Sequence, residues 1–298
     1  MNEFKAPRNL GVPFAILATV LFASMDAMSK ALVADHSVWF ILMGRYWFHL
    51  AVAIIWAMLS RQGFRAAMTT ARPMMQVARG CLLVGEIALI VYAYSMLGLA
   101  EVTTIIMVSP LIVTALAAAF LGEHVGWHRI GAMLAGMLGL AIIMQPSGNI
   151  WGIGGLVALA ATTTFAVYQL FTRMVSRHDS TLTSFFYAGL IGVALTTWPG
   201  LKTAPLLSEI DWLLLAGICL FSIGAHFSVM HALSLTQASS IQPFMYLQIV
   251  WSIPIGFLVF GTLPIWSTIL GAVIIVAAGL YAIHRGRRTI ADPRREVA

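Results

Sequence analysis

Asp26, Lys30, Arg45, Arg79 and Glu86 each interrupt a long apolar run, which makes them the first places where this sequence could do chemistry. An ionisable group surrounded by hydrocarbon costs about 2.5–3.5 kcal/mol on insertion scales, so each needs a charge partner, a hydrogen-bond network or a water-filled cavity. Asp26 and Lys30 are four apart with the acid first, the favourable order for a pair on one helix face. Arg45, on the next apolar run, falls at a similar depth when ~1.5 Å is counted per residue. The three read either as a network locking two helices together or as an anion-recognising or gating cluster. Glu86 lies about 18 Å into its run, near the middle. Arg79, seven residues earlier, shares its face but sits two turns closer to the end. A mid-run carboxylate with no adjacent cation has three readings: a proton carrier, a ligand for a substrate ammonium, or a hydrogen-bonded structural group.

Softer polar groups follow the same pattern. His49, His226 and His231 are isolated on apolar runs, where a histidine is more often a packing residue than a functional one. No His/Cys/carboxylate spacing has the form of a metal site, and no motif calls for a cofactor. Ser239-Ser240-Ile241-Gln242-Pro243 opens a run that continues through Tyr246, and Gln242 and Tyr246 are spaced to share a helix face. Pro243 frees a backbone carbonyl, and Ser109-Pro110 is its approximate counterpart earlier in the chain. Paired interruptions of this kind mark either a substrate site or simple packing kinks. Tyr94, Tyr168 and Tyr246 are among the interior aromatics that could stack on a planar ring, although core packing accounts for any single one.

The elements that must position these groups are membrane helices. The chain of 298 residues is 60% apolar and only 9% charged, with a mean hydropathy of +0.91. A soluble domain averages about 45–50% apolar and about 25% charged. Apolar spans run over roughly 11–32, 38–59, 74–97, 100–121, 127–145, 151–172, 181–200, 211–234, 237–260 and 265–284. Each is long enough to cross ~30 Å of hydrocarbon, or close to it. The first is longer than a signal-peptide core and is expected to be a retained helix. With the N-terminus inside, Lys5, Arg8, Arg61, Arg65, Arg72, Arg129, Arg173, Arg177 and the arginines between Arg285 and Arg295 are cytoplasmic, against Lys202 outside. That asymmetry puts both termini in the cytoplasm.

The net charge of +6 follows the loops and the tail, so it argues for membrane orientation rather than nucleic-acid binding. Cys81 and Cys219 both lie in apolar spans, where no disulfide is expected. Neither GxSxG nor HExxH is present, which disfavours an intramembrane enzyme, and a P-loop is missing too. Rings of repeated polar residues, as in a channel, are not evident.

The two halves match in pattern. YSMLGLAEVTTIIMVSPLIVTALAAAFLGEHVGWHRIGAM from Tyr94 parallels HALSLTQASSIQPFMYLQIVWSIPIGFLVFGTLPIWSTILGAV from His231. Five spans per half makes the copies inverted across the membrane. Residues Leu99 to Gly148, with the A-E turn, the S-P pair, the LGE turn and a Gly-spaced helix, resemble the end of an EamA repeat. MDAMSK ending at Lys30, MGRYW around Arg45 and ARG at Arg79 fit as well. The chain is therefore similar to the drug/metabolite transporter superfamily in its ten-helix EamA form, over about residues 11–285. It departs at Thr262, where many second repeats have Glu; that Glu is read as a turn feature rather than a ligand.

The resemblance implies an all-α integral membrane protein of ten transmembrane helices in two inverted five-helix repeats, 11–145 and 151–285, with a basic cytoplasmic tail at 286–298. It implies a multi-pass inner-membrane secondary transporter with a cavity between the halves. The cargo expected is a small polar metabolite: an amino acid or derivative, or a vitamin such as riboflavin. Transport is by alternating access, with proton coupling as one option and membrane lipid as surroundings. The protein would act as a monomer or a homodimer; Gly271 and Ala278-Gly279 suit close helix packing, a dimer interface being one option. An intramembrane enzyme or a channel-like protein is the alternative.

Overall fold

The computed structural model describes residues 10–60, 63–97, 102, 105–123, 125–144, 152–260 and 266–291. Parts of the resemblance, including Glu101, His124 and Thr262, lie outside these, as do Lys5, Arg8 and residues 292–298. Helices α1 (Val12–Val33), α2 (Val38–Leu59), α3 (Gly63–Met68), α4 (Pro73–Met96), α5 (Ser109–Leu121) and α6 (Trp127–Met144) belong to the first half. The second half holds α7 (Ile153–Val175), α8 (Thr181–Lys202), α9 (Glu209–Leu235), α10 (Ala238–Met245), α11 (Leu247–Phe260) and α12 (Trp266–Ala291). Among the described residues, seven helical stretches are long and apolar enough to cross a membrane; Ser109–Leu121, Ile130–Gly139 and Ile269–Ala278 are shorter apolar helices that bring the number to ten. The last helix runs on to Ala291, into the segment expected as tail.

The ninth crossing is not one helix. It breaks at Tyr246 into α10 and α11, and Ile249 N–H turns back to the Tyr246 carbonyl at 3.2 Å, a tightened three-residue step. Pro243 contributes, because it has no N–H to offer the Ser239 carbonyl one turn earlier. The fourth crossing tightens in the same way: Val108 N–H reaches the Ile105 carbonyl at 3.0 Å just before α5 begins at Ser109. Aligning Tyr94 with His231 sets Ser109 opposite Tyr246, so both breaks fall at one place in the repeat.

Packing crosses between the halves almost throughout. The main partners are α1 with α9, α4 with α7, α2 with α8, α5 with α10, and α6 with α12. Each pair joins a helix of one repeat to one of the other, and α1–α9 is the mirror of α4–α7. The two repeats are thus interlocked and do not form separate five-helix bodies.

Small residues permit these approaches. A Cβ added at Gly139 would stand 2.7 Å from the Gly271 carbonyl oxygen, so Gly271 serves close packing between α6 and α12. Gly189, Gly192 and Gly200 on α8 let α2 lie against it, and a Cβ at Gly192 would overlap the Tyr46 ring. Overpacking of this kind costs about 1–3 kcal/mol. Gly192→Ala should therefore lower the thermal midpoint of the detergent-solubilised protein, while Gly85→Ala, which meets open space, should leave it unchanged.

Candidate functional site

The face at which α1 begins is called the near face below, and the other the far face. Asp26, Arg45 and Glu86 each lie 13 or 14 residues from the near end of their helices, about 20 Å up. The structure brings them together as one charged layer. Gln248 Nε2 donates to Asp26 Oδ2 at 2.8 Å, and Arg45 Nη2 donates to Ser222 Oγ at 2.7 Å with Met25 Sδ at 3.3 Å. Glu86 Oε2 is buried and has no hydrogen-bond partner among the described residues, and the same holds for the Tyr46 hydroxyl.

One turn or so below lies a layer of rings. Phe22 stands edge-on to His226 at 5.2 Å and to Phe165 at 6.4 Å, and Tyr168 stacks on Phe165 at 6.2 Å. Both ring nitrogens of His226 are buried and unpartnered among the described residues. Behind Tyr168, the buried Arg79 places its guanidinium 5.6 Å from the ring centroid and donates to Gln76 and to the Ser184 carbonyl. Lower still, Gln242 Nε2 donates to Gln169 Oε1 at 3.2 Å, and both amides are fully buried. Asp26, Glu86, Gln248 and Trp251 in the upper part are only half-buried. The site is thus more open above than below.

A seal closes the near end. Glu123, in the turn after α5, accepts from the backbone N–H of Ala238 at 3.1 Å and of Ser239 at 3.0 Å, and from Ser239 Oγ at 2.8 Å. These groups start α10, where unpaired N–H groups and the helix dipole favour an anion. Arg173 Nε lies 3.8 Å from Glu123, while its Nη1 donates to the Leu233 carbonyl at 2.6 Å. The Gly122 φ of +64° turns the chain so that Glu123 points back at the second half. The LGE turn is therefore a tie between repeats and not merely a turn.

Two clasps hold the hairpin loops. On the near face Asp179 accepts from Ala71 N–H and Gln76 Nε2, each at 2.8 Å, and from the Thr70 hydroxyl. On the far face, at the mirrored place, His36 Nε2 lies 3.3 Å from Asp211 Oδ2, and Asp211 completes a capping box with Ser208. Burial pushes the Asp179 carboxyl up, but its hydrogen bonds from Thr70, Ala71 and Gln76 outweigh this and hold it below the ordinary 3.8. A lowered value stabilises above the ordinary pKa and is lost as pH falls through the lowered one. The near clasp should therefore persist at neutral pH and release only in strong acid. Asp179→Asn should release it at neutral pH, seen as faster hydrogen exchange at Thr69 to Arg72.

Of the residues singled out from the sequence, Asp26, Arg45, Glu86, Arg79, Tyr168, His226 and Gln242 converge. Lys30 is exposed one turn further toward the far face than Asp26, and Arg45 donates to Ser222. Tyr94 packs beside Ala93 and Val102 near the far end of α4, two turns beyond Glu86. Tyr246 does not meet the Gln242 amide's partner on α7; its ring packs against α6, where a Cβ of Gly136 would be 2.7 Å away. Ser109, Pro110 and Pro243 are buried at the breaks themselves. Phe22, Phe165, Gln169 and Ser222 are site residues that sequence reasoning passed over. Gln169 and Ser222 carry a polarity signal, as an amide and a hydroxyl within apolar runs.

An interlocked two-repeat membrane fold with a polar, ring-lined interior defines a small-molecule carrier. The EamA-like transporter family matches twice, over residues 9–145 and 152–283, and the chain belongs to that family. The S-adenosylmethionine uptake transporter of Rickettsia bellii is 25% identical over 97% of this chain and 99% of its own. The riboflavin transporter of Vibrio cholerae is 30% identical over 76% and 77%. The pseudopaline exporter of Pseudomonas aeruginosa is 29% identical over 90% and 94%. A solved crystal structure shares the fold, with a TM-score of 0.77 at 18% identity over 94% of this chain and 99% of that one. The protein is a transporter of the drug/metabolite type, not an enzyme.

Proposed function

We propose that this transporter moves an amphoteric, ring-bearing metabolite, of the kind represented by S-adenosylmethionine or riboflavin, across the inner membrane by alternating access. The observation that carries the reading is the layered interior: opposed charges above, four aromatic rings in the middle, paired amides below. A charged or polyhydroxyl head suits Asp26, Arg45 and Glu86, and a planar ring suits Phe22, Phe165, Tyr168 and His226.

The charge asymmetry of the loops supports a cytoplasmic near face with both termini inside. On that reading the Glu123 seal closes the cytoplasmic end, and the half-buried charged layer faces outward. The moving bodies are inter-repeat groups such as α1 with α9 and α4 with α7. Glu86 is the proposed proton carrier.

Uptake of labelled S-adenosylmethionine and riboflavin by proteoliposomes, under imposed pH and voltage gradients, tests the proposal. Saturable uptake of either supports it. Transport of neither, by protein that carries other metabolites, removes the ring-bearing cargo.

A further inference from the structure

Gln169 and Gln242 are joined by a single hydrogen bond, and each keeps its other polar end unused. Gln242 Nε2 also donates to the Ala238 carbonyl at 3.1 Å. That carbonyl can only accept, which fixes the Gln242 amide with its nitrogen toward Ala238 and its oxygen away. The bond to Gln169 Oε1 then fixes the second amide. What remains is one free acceptor, Gln242 Oε1, and one free donor, Gln169 Nε2, both buried and both unpartnered among the described residues.

Buried polar atoms are rarely left unpaired, because each forfeits its bonds to water. Two orphans of opposite kind on mutually bonded amides form a donor–acceptor pair. Such a pair matches any planar group that carries an acceptor beside a donor. Adenine offers this with its exocyclic amine and a neighbouring ring nitrogen, as in amide recognition of adenine elsewhere. The pyrimidine edge of a flavin offers it with a ring N–H beside a carbonyl. Phe165 lies one helical turn above Gln169 on the same face and meets Phe22 at right angles, 6.4 Å between centroids, so a heterocycle held against these rings has an edge within reach of the amides. The charged layer is about 12 Å from the amides at ~1.5 Å per residue, the length of a ring with a polar chain.

We infer that Gln169 and Gln242 act together as a reader of the hydrogen-bonding edge of the substrate's heterocycle. The inference rests on the ring-bearing cargo proposed above and adds a specificity that the rings alone cannot supply, since stacking accepts any flat apolar face. A purely structural bridge between α7 and α10 would need the one bond they share and would be indifferent to the substrate edge.

The test is competition against the labelled probe in proteoliposomes of the full chain, using edge-blocked analogues. These are 3-methylriboflavin against riboflavin, and N6,N6-dimethyladenosine against adenosine. The wild-type protein should prefer the unblocked member of at least one pair by about tenfold or more. Gln169→Leu and Gln242→Leu should bring the preference to within about twofold. Gln169→Met, close in size, removes the free donor without adding a charge and should weaken the unblocked ring by about tenfold while leaving the blocked one little changed. If the wild type shows no preference, or if Gln169→Met keeps it, the edge-reading role is wrong while the transport reading stands. Failure of the wild type to take up or bind either ring system removes both.

Discussion

Glu86→Gln is expected to abolish substrate accumulation driven by a pH gradient while leaving counterflow exchange of substrate intact. A proton moving down a one-unit gradient releases about 1.4 kcal/mol, enough for about a tenfold concentration ratio per proton carried. The variant should bring that ratio to about one. Glu86 suits the role because Oε2 is buried without a partner among the described residues, so the carboxyl can take a proton there without first surrendering a hydrogen bond. Asp26 is less suited, since Oδ2 already holds the Gln248 amide. Should Glu86→Gln transport at the wild-type rate with its proton dependence unchanged, the assignment is wrong. Asp26→Asn would then be the variant to measure.

The second large effect is expected from Glu123→Ala. The side chain accepts three hydrogen bonds from the start of α10 and faces Arg173, all in a buried turn. Removing one member of a buried charged network costs about 3–5 kcal/mol, much of it from the groups left unpaired. Here those groups are the Ala238 and Ser239 N–H donors and Arg173. The loss should open the near end of the site. A cysteine placed at the buried Thr172, with Cys81 and Cys219 replaced by serine, should then react faster with an impermeant maleimide added from the near side. The thermal midpoint should fall as well. Glu123→Gln keeps an acceptor for the helix start and should show a smaller change in both. Unaltered labelling in Glu123→Ala would mean that the tie has no part in gating.

Much of the fold was legible because bilayer physics leaves few solutions. Ten apolar runs, short separators and matching halves could hardly be anything but crossing helices. The charged layer was legible for the same reason: Asp26, Arg45 and Glu86 stand out against hydrocarbon. The ring layer was not. Phe22 and Phe165 are apolar residues in apolar helices, and nothing in their type or spacing separates them from lipid-facing neighbours. For Tyr246, a four-residue spacing from Gln242 gives the side of the helix it leaves but not which neighbouring helix stands there, and its ring meets α6 at Gly136. Glu123 was undervalued because a turn glutamate looks solvated until its partner, 115 residues away, is in place.

The interlocking of the repeats bears on how the molecule is made. Ribosomes deliver α1 long before α9, and α2 long before α8, so every major helix of the first half enters the bilayer before its principal partner exists. The first five crossings must wait, loosely associated, with Asp26, Arg45 and Glu86 unsheltered by Gln248 and Ser222 until the second half arrives. Assembly is consequently late and all at once. A chain severed between Met144 and Gly152 would yield two pieces that are each incomplete, yet able to complete one another in the same membrane.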